Sequence, residues 1–208
     1  MCIRDRRDSD TDAHNYRVTL YAIHLAEGLE LNIESVRGLI KGAFLHDVGK
    51  IGVRDNILHK PGPLDDCEFE IMKAHVDHGL EIINRCRWLG DATDVVGSHH
   101  EKYNGSGYPN QLRGERIPIT ARIFAIVDVF DALTSRRPYK EPFTLEEAMR
   151  ILEQGRGIHF DPKLLDLFTN LASSLYQRYG GREDEKLHQE LTQIVQKYFT
   201  SQLNTLVY

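Results

Sequence analysis

Cysteine is scarce, with three in 208 residues (Cys2, Cys67 and Cys86), and no two of them form a C-x-x-C pair. This rules out a disulfide framework or a cysteine-based zinc knuckle as the organising device, and the thiols read as free in a reducing compartment. Long hydrophobic runs are lacking too. The most apolar stretch, Ile117 to Phe130, is interrupted by Arg122 and Asp128 and does not read as a bilayer span. The opening MCIRDRRD has no apolar segment of the kind a secretory signal needs, so the expected location is the cytoplasm. Basic charge is not in excess either: 26 Lys+Arg stand against 31 Asp+Glu, a formal net charge of -5. That balance argues against a nucleic-acid polymer or an anionic membrane as partner, since both call for a basic face. A small anion held by metal ions stays open.

The chain has 41% hydrophobic and 27% charged residues, ordinary globular proportions with length for one domain and a sizeable core. No internal repeat, low-complexity tract or alternating strand pattern appears. Apolar residues instead recur at three- and four-residue intervals. Val18, Ala22, Leu25, Ala26 and Leu29 form one stripe, and Val36, Leu39, Ile40, Ala43 and Phe44 the next. Asp65 with Glu68 predicts a capping box opening one helix through Ile71, Met72, Leu80, Ile82 and Ile83, which places His75 in mid-helix. A shorter helix is expected from about Asp91 toward His100, then a turn-rich loop from Asn104 to Pro118. Pro118 suits the start of a helix carrying Ile123, Ile126, Val127, Phe130 and Leu133. Thr144 with Glu147 predicts a second capping box, Asp161-Pro162 another helix start, and Leu187, Leu191, Ile194, Val195 and Tyr198 a last helix. The expected fold is all-α. The first helix follows Met1 so closely that an upstream domain is expected to precede it. After Asp166 no chemistry is identifiable, and the tail reads as a packing or dimerising extension.

Among ten histidines, the informative ones are His14 at the opening of the first helix, His46 followed by Asp47 at a helix end, His75, and the pair His99-His100 before the glycine-rich loop. Asp128 sits in an otherwise apolar helix, where an unpaired carboxylate is costly to bury. Singly, each is an ordinary surface or hydrogen-bonded residue. Together they suit a metal centre, whose ligands converge from several helices of a bundle. His14, His46, His75, His99 and His100 with Asp47 and Asp128 are too many donors for one six-coordinate ion. They suit two ions bridged by a carboxylate. Imidazole and carboxylate without thiolate favour iron or manganese over structural zinc. Two divalent ions leave such a site positive within an acidic protein, and they supply an activated water and a clamp at phosphorus.

The segments H46-D47-V-G-K50, ILHKPGPL, MKAH75, H99-H-E-K-Y-N-G-S-G-Y-P109 and ARIFAIVD128VFDALTSRRPYK140 resemble the HD-GYP family of bacterial cyclic di-GMP phosphodiesterases. RDSDTDAH14NYRV resembles the family's opening segment and HFDP, His159 to Pro162, its closing one. The resemblance implies an HD-type helical bundle over residues 7–165 with its metal centre between helices, and a C-terminal helical extension over 166–208. By position, the implied metal ligands are His14, His46, Asp47, His75, His99, His100 and Asp128, with Asp47 bridging two ions. Members with a third metal carry a glutamate four residues before the first histidine. Here that position is Asp10, either a shorter third-metal ligand or a helix-start acid favoured by the helix dipole.

The same resemblance implies hydrolysis of cyclic di-GMP to pGpG, and onward to GMP, by a metal-bridging hydroxide. Asp47 and Lys50 are the implied catalytic groups, with Lys50 stabilising developing charge or protonating the leaving oxygen. Asp131 joins them as a group orienting Lys50 or a ligand histidine. Arg137 and Lys140 are implied phosphate contacts. Tyr108 in the GYP turn is expected to touch base or phosphate, with Gly107 permitting a tight turn. Partner binding at the GYP loop, an upstream sensor or receiver domain, and a homodimer are further implications. Tyr103-Asn104 departs from a frequent tryptophan-aspartate pair, and His59, His78, His159 and His188 match no ligand position. Two other readings stand beside this one. The first is a phosphohydrolase for another cyclic dinucleotide or a nucleotide. The second is a non-catalytic module that binds cyclic di-GMP.

Overall fold

A computed structural model describes residues 10–136 and 141–203, with side chains placed over 12–136 and 141–200. Asp10 therefore has only its backbone described, and the predicted phosphate contacts Arg137 and Lys140 lie outside the described residues. Among these residues the regular structure is helical: α1 (Asp10–Gly28), α2 (Ile33–Leu45), α3 (Asp55–Leu58), α4 (Asp66–Lys73), α5 (His75–Asn84), α6 (Thr93–Ser98), α7 (Ile119–Thr134), α8 (Leu145–Gln154), α9 (Pro162–Tyr179) and α10 (Glu185–Leu203). Among the described residues no helix is long and apolar enough to cross a membrane.

Local chemistry sets most boundaries. Both predicted capping boxes form: Asp65 accepts from the Glu68 amide and Glu68 reaches back to the Asp65 amide, as Thr144 and Glu147 do at α8. Asp161 caps α9, with Pro162 in its first turn, where no amide hydrogen is needed. The helix predicted to run unbroken from Asp65 through Ile83 is two helices. At Ala74 the amide bonds Ile71 O, and the His75 ring bonds Met72 O at 2.6 Å, which tightens the turn. His75 accordingly opens α5 instead of lying mid-helix.

The apolar stripes of α1 and α2 meet α7 in one core, where Val18, Tyr21, Leu25, Leu39, Phe124 and Phe130 are buried. Phe168 and Leu175 of α9 and Leu187 and Leu191 of α10 belong to the same cluster. The boundary expected between 165 and 166 thus falls inside α9, and residues on both sides of it share one core. Burying such side chains contributes roughly 1.5–3 kcal/mol each.

Candidate metal centre

Helix α2 ends at Leu45, leaving His46 as its C-cap and Asp47 at the head of a 3-10 turn, Val48–Gly52. This turn lies against α5 so closely that a Cβ on Gly49 would stand 1.8 Å from His75 O and 2.4 Å from the Gly79 amide nitrogen. Only glycine permits that approach, which brings the His46-Asp47 pair to His75. Helix α6 delivers His99 and His100, α1 delivers His14, and α7 delivers Asp128.

The imidazoles are aimed by their own backbone. Nδ1 of His46 lies 2.9 Å from Ala43 O, that of His75 2.6 Å from Met72 O, and that of His99 3.0 Å from Val96 O. A ring nitrogen donating to a carbonyl carries the proton, which leaves the Nε2 lone pair free to ligate. The Nε2 atoms of His75 and His99 are 3.4 Å apart. Ring centroids run in an unbroken series, His14–His46 at 5.9 Å, His46–His99 at 5.4 Å, His75–His99 at 5.5 Å and His99–His100 at 4.0 Å.

These donors fall into two groups, each with ligand atoms within 4.8 Å of one another: Asp47, His75, His99 and His100, and His14, His46 and Asp128. Asp47 touches both. Its Oδ1 lies 3.5 Å from His75 Nε2 and 3.9 Å from His99 Nε2, while its Oδ2 lies 3.1 Å from His46 Nε2. Buried polar atoms without a hydrogen-bond partner include one in each group, Asp47 Oδ1 and His14 Nε2. Such atoms each cost about 1–3 kcal/mol unless satisfied, so the donor set fits divalent ions.

The electrostatics of the two groups differ. Burial, reinforced by the charge of His46, pushes His99 down to about 3. Burial also lowers His75, and burial together with His99 lowers His100. These rings are neutral and ready to ligate. Burial opposes charge on His14 as well, but the carboxylates of Asp128 and Asp131 outweigh it and raise His14 to about 10. Burial would raise Asp47, yet Lys50 and His46 hold it well below the usual carboxylate range.

Around the ligands, Lys50 Nζ lies 2.5 Å from Asp47 Oδ2, which brings a cation to the centre. Asp131 is 1% exposed and accepts from His14 Nδ1 at 2.8 Å, from Arg17, and from Ser135 at 3.1 Å. Of the two partners expected for it, the histidine contact is present, with His14. Tyr108 stacks on His100, and Gly107 packs on the His100–Lys102 backbone, where a Cβ would come 2.3 Å from the Lys102 amide nitrogen.

Two residues escaped the sequence reading. Glu101, 2% exposed, accepts from the Asn110 and Leu112 amides at 2.7 and 3.0 Å and pins the glycine-rich loop. Arg17, also 2% exposed, grips Asp131. The signals were there: Arg17 follows His14 by three residues on one helix face, and Glu101 follows the histidine pair directly.

A helical bundle whose interior gathers two imidazole–carboxylate groups around a shared aspartate defines the class of helical metal-centre proteins. Within that class the chain belongs to the HD domain family, whose model matches residues 3–164, and the resemblance to HD-GYP proteins holds. It is 49% identical over 166 residues to the 3'3'-cGAMP-specific phosphodiesterase 2 of Vibrio cholerae, covering 78% of this chain and 32% of that protein. It is 40% identical over 185 residues to the cyclic di-GMP phosphodiesterase of Thermotoga maritima, covering 88% and 50%. The chain thus spans half the length, or less, of these relatives. Its fold is similar to that of Bd1817, an HDG"Y"P protein from Bdellovibrio bacteriovorus, with a TM-score of 0.60 at 20% identity over 80% of this chain and 54% of that one.

Proposed function

We propose that this chain is a metal-dependent phosphodiesterase that opens cyclic di-GMP to pGpG and carries it on to GMP. The observation that carries the reading is Asp47, whose two oxygens address two separate histidine groups inside one buried centre. His14, His46 and Asp128, and His75, His99 and His100, with Asp47 between the two groups, would hold two divalent ions, which would supply an activated water and neutralise phosphate charge. Imidazole and carboxylate donors without thiolate favour iron or manganese.

The chain's own groups do the rest. Backbone carbonyls hold Nδ1 of His46, His75 and His99, so each ring presents its Nε2 to the centre. Lys50 places a positive charge beside Asp47, suited to a phosphate oxygen as charge develops. Tyr108, partly exposed on the face of His100, offers a ring edge and hydroxyl toward an incoming nucleotide. Arg137 and Lys140 complete the proposal as phosphate contacts.

A second reading, 3'3'-cGAMP as preferred substrate, is favoured by the 49% identity to a phosphodiesterase named for that dinucleotide. The two nucleotides differ at one base. Anaerobically purified protein, analysed for iron and manganese, is given each dinucleotide separately and the products are chromatographed. Two ions per chain with pGpG and GMP from cyclic di-GMP support the first reading. Faster turnover of 3'3'-cGAMP replaces it with the second, and tight binding without product at full metal occupancy overturns both.

A further inference from the structure

Arg17 sits one turn beyond His14 on α1, and its guanidinium is buried. Nε and Nη2 donate as a fork to the two oxygens of Asp131, at 2.7 and 3.0 Å, and Nη1 donates 2.9 Å to the carbonyl of Arg182. Arg182 lies in the turn between α9 and α10, beyond residue 164 where the family match ends. A planar guanidinium held at three nitrogens has no rotational freedom, so it fixes the plane of the carboxylate it grips. That carboxylate accepts from His14 Nδ1 at 2.8 Å, which turns the buried His14 Nε2 toward Asp128, 3.4 Å from its Oδ1, and toward His46.

The turn itself is well defined. Gly181 takes a φ of 64°, and the Arg182 amide bonds Tyr179 O at 3.1 Å. The Arg182 side chain pairs with Asp184, which in turn accepts from the Leu187 amide at the start of α10. The position of the Arg182 carbonyl is thus set jointly by the end of α9 and the start of α10. Without it, one N–H of a buried cation would lose its acceptor.

We propose that Arg17 is a positioning residue for the ion held by His14, His46 and Asp128, and that the α9–α10 turn is part of that ion's support. The C-terminal hairpin then has a role at the metal centre: the turn holds Arg17, Arg17 holds Asp131, and Asp131 aims His14. This rests on the two-ion reading of the centre. It also separates the ions, since among the described residues the series runs from Arg182 through Arg17 and Asp131 to His14 and not to Asp47, His75, His99 or His100.

The test is a titration of the metal-stripped chain of 208 residues with Mn2+, following free Mn2+ by electron paramagnetic resonance. The wild type should show two ions. Arg17→Gln should weaken one of them about 10–100-fold, the size expected for loss of a group orienting a ligand histidine, and leave the other unchanged, with Arg17→Lys falling between. Gly181→Val strains the turn at an exposed position where a Cβ meets nothing within 4 Å, and it should weaken the same ion. If Arg17→Gln does not fold, Gly181→Val decides alone. Two ions bound in the variants as in the wild type, or both weakened equally in a chain with native circular dichroism, overturn the inference while the two-ion reading stands. A wild-type chain that takes up no Mn2+ removes both.

Discussion

The ring of Tyr108 stacks on the imidazole of His100, with centroids 4.7 Å apart and planes inclined by 27°. A residue of the glycine-rich loop therefore rests on a candidate ligand, and the Tyr108 amide bonds His100 O at 3.2 Å. The loop and the metal centre are one piece of structure, and what disturbs the first should reach the second.

Glu101 is the test of that connection. Its carboxylate accepts from the amides of Asn110 and Leu112 and is almost fully buried. Glu101→Ala should destabilise the fold by roughly 2–3 kcal/mol, because hydrogen bonds to a charged group are among the stronger ones. Amide exchange at Asn110 and Leu112 should accelerate in the same variant, and unchanged exchange there would remove Glu101 from this role.

Gly107 gives an independent handle on the same loop. Alanine there places a Cβ 2.3 Å from the Lys102 amide nitrogen and 2.6 Å from His100 O, so backbone has to move. Overpacking of this kind costs about 1–3 kcal/mol. Gly107→Ala should lower the midpoint in urea and reduce turnover more than Tyr108→Phe does, since Phe keeps the stack.

Lys50 is predicted to serve charge development and not ion retention. Lys50→Met should cut kcat by about 10²-fold, the scale of losing one preorganised electrostatic group. Metal content should hold or rise, because the ammonium shares Asp47 Oδ2 with any incoming ion. Loss of metal on this substitution would place Lys50 among the supports of the centre instead.

The two ligand groups should differ in how their affinity depends on pH. With His14 raised to about 10, its ring carries a proton through neutral pH, and an ion ligated by Nε2 must displace it. Affinity for that ion should rise at least about tenfold per pH unit between roughly 6 and 8, since His46, also raised by Asp47, gives up a proton as well. His99, held near 3, is already neutral over this range, as are the lowered His75 and His100. The ion in their group should bind with little pH dependence. Calorimetry in buffers of different ionisation enthalpy counts the protons released, and equal release from both groups would contradict the assignment.

Gly49 offers a last check on assembly. A Cβ there would meet His75 O at 1.8 Å, so Gly49→Ala should part the 3-10 turn from α5 and separate Asp47 from His75. Loss of bound metal should exceed any loss of helical circular dichroism.

The helical class, both capping boxes, the proline at the start of α9 and the apolar stripe of α10 were legible because they depend on neighbours three or four residues away. So was the set of candidate donors, since the HD, HH and GYP segments stand out in the chain and the structure gathers their imidazoles and carboxylates into two groups. The break at Ala74 was not legible: the apolar period runs through it, and the tightened turn, with the His75 ring on Met72 O, is seen only in the folded chain. Arg17 and Glu101 read as ordinary charged residues in the chain, because their partners, Asp131 and Arg182 for one and the loop amides for the other, are defined only by folding. What the sequence determined by itself was local, namely periodicity, caps and the inventory of donors. Which oxygen of Asp47 faces which histidines, and which buried charge aims which ring, was decided by tertiary structure, because desolvation and pairing exist only once distant segments exclude water together.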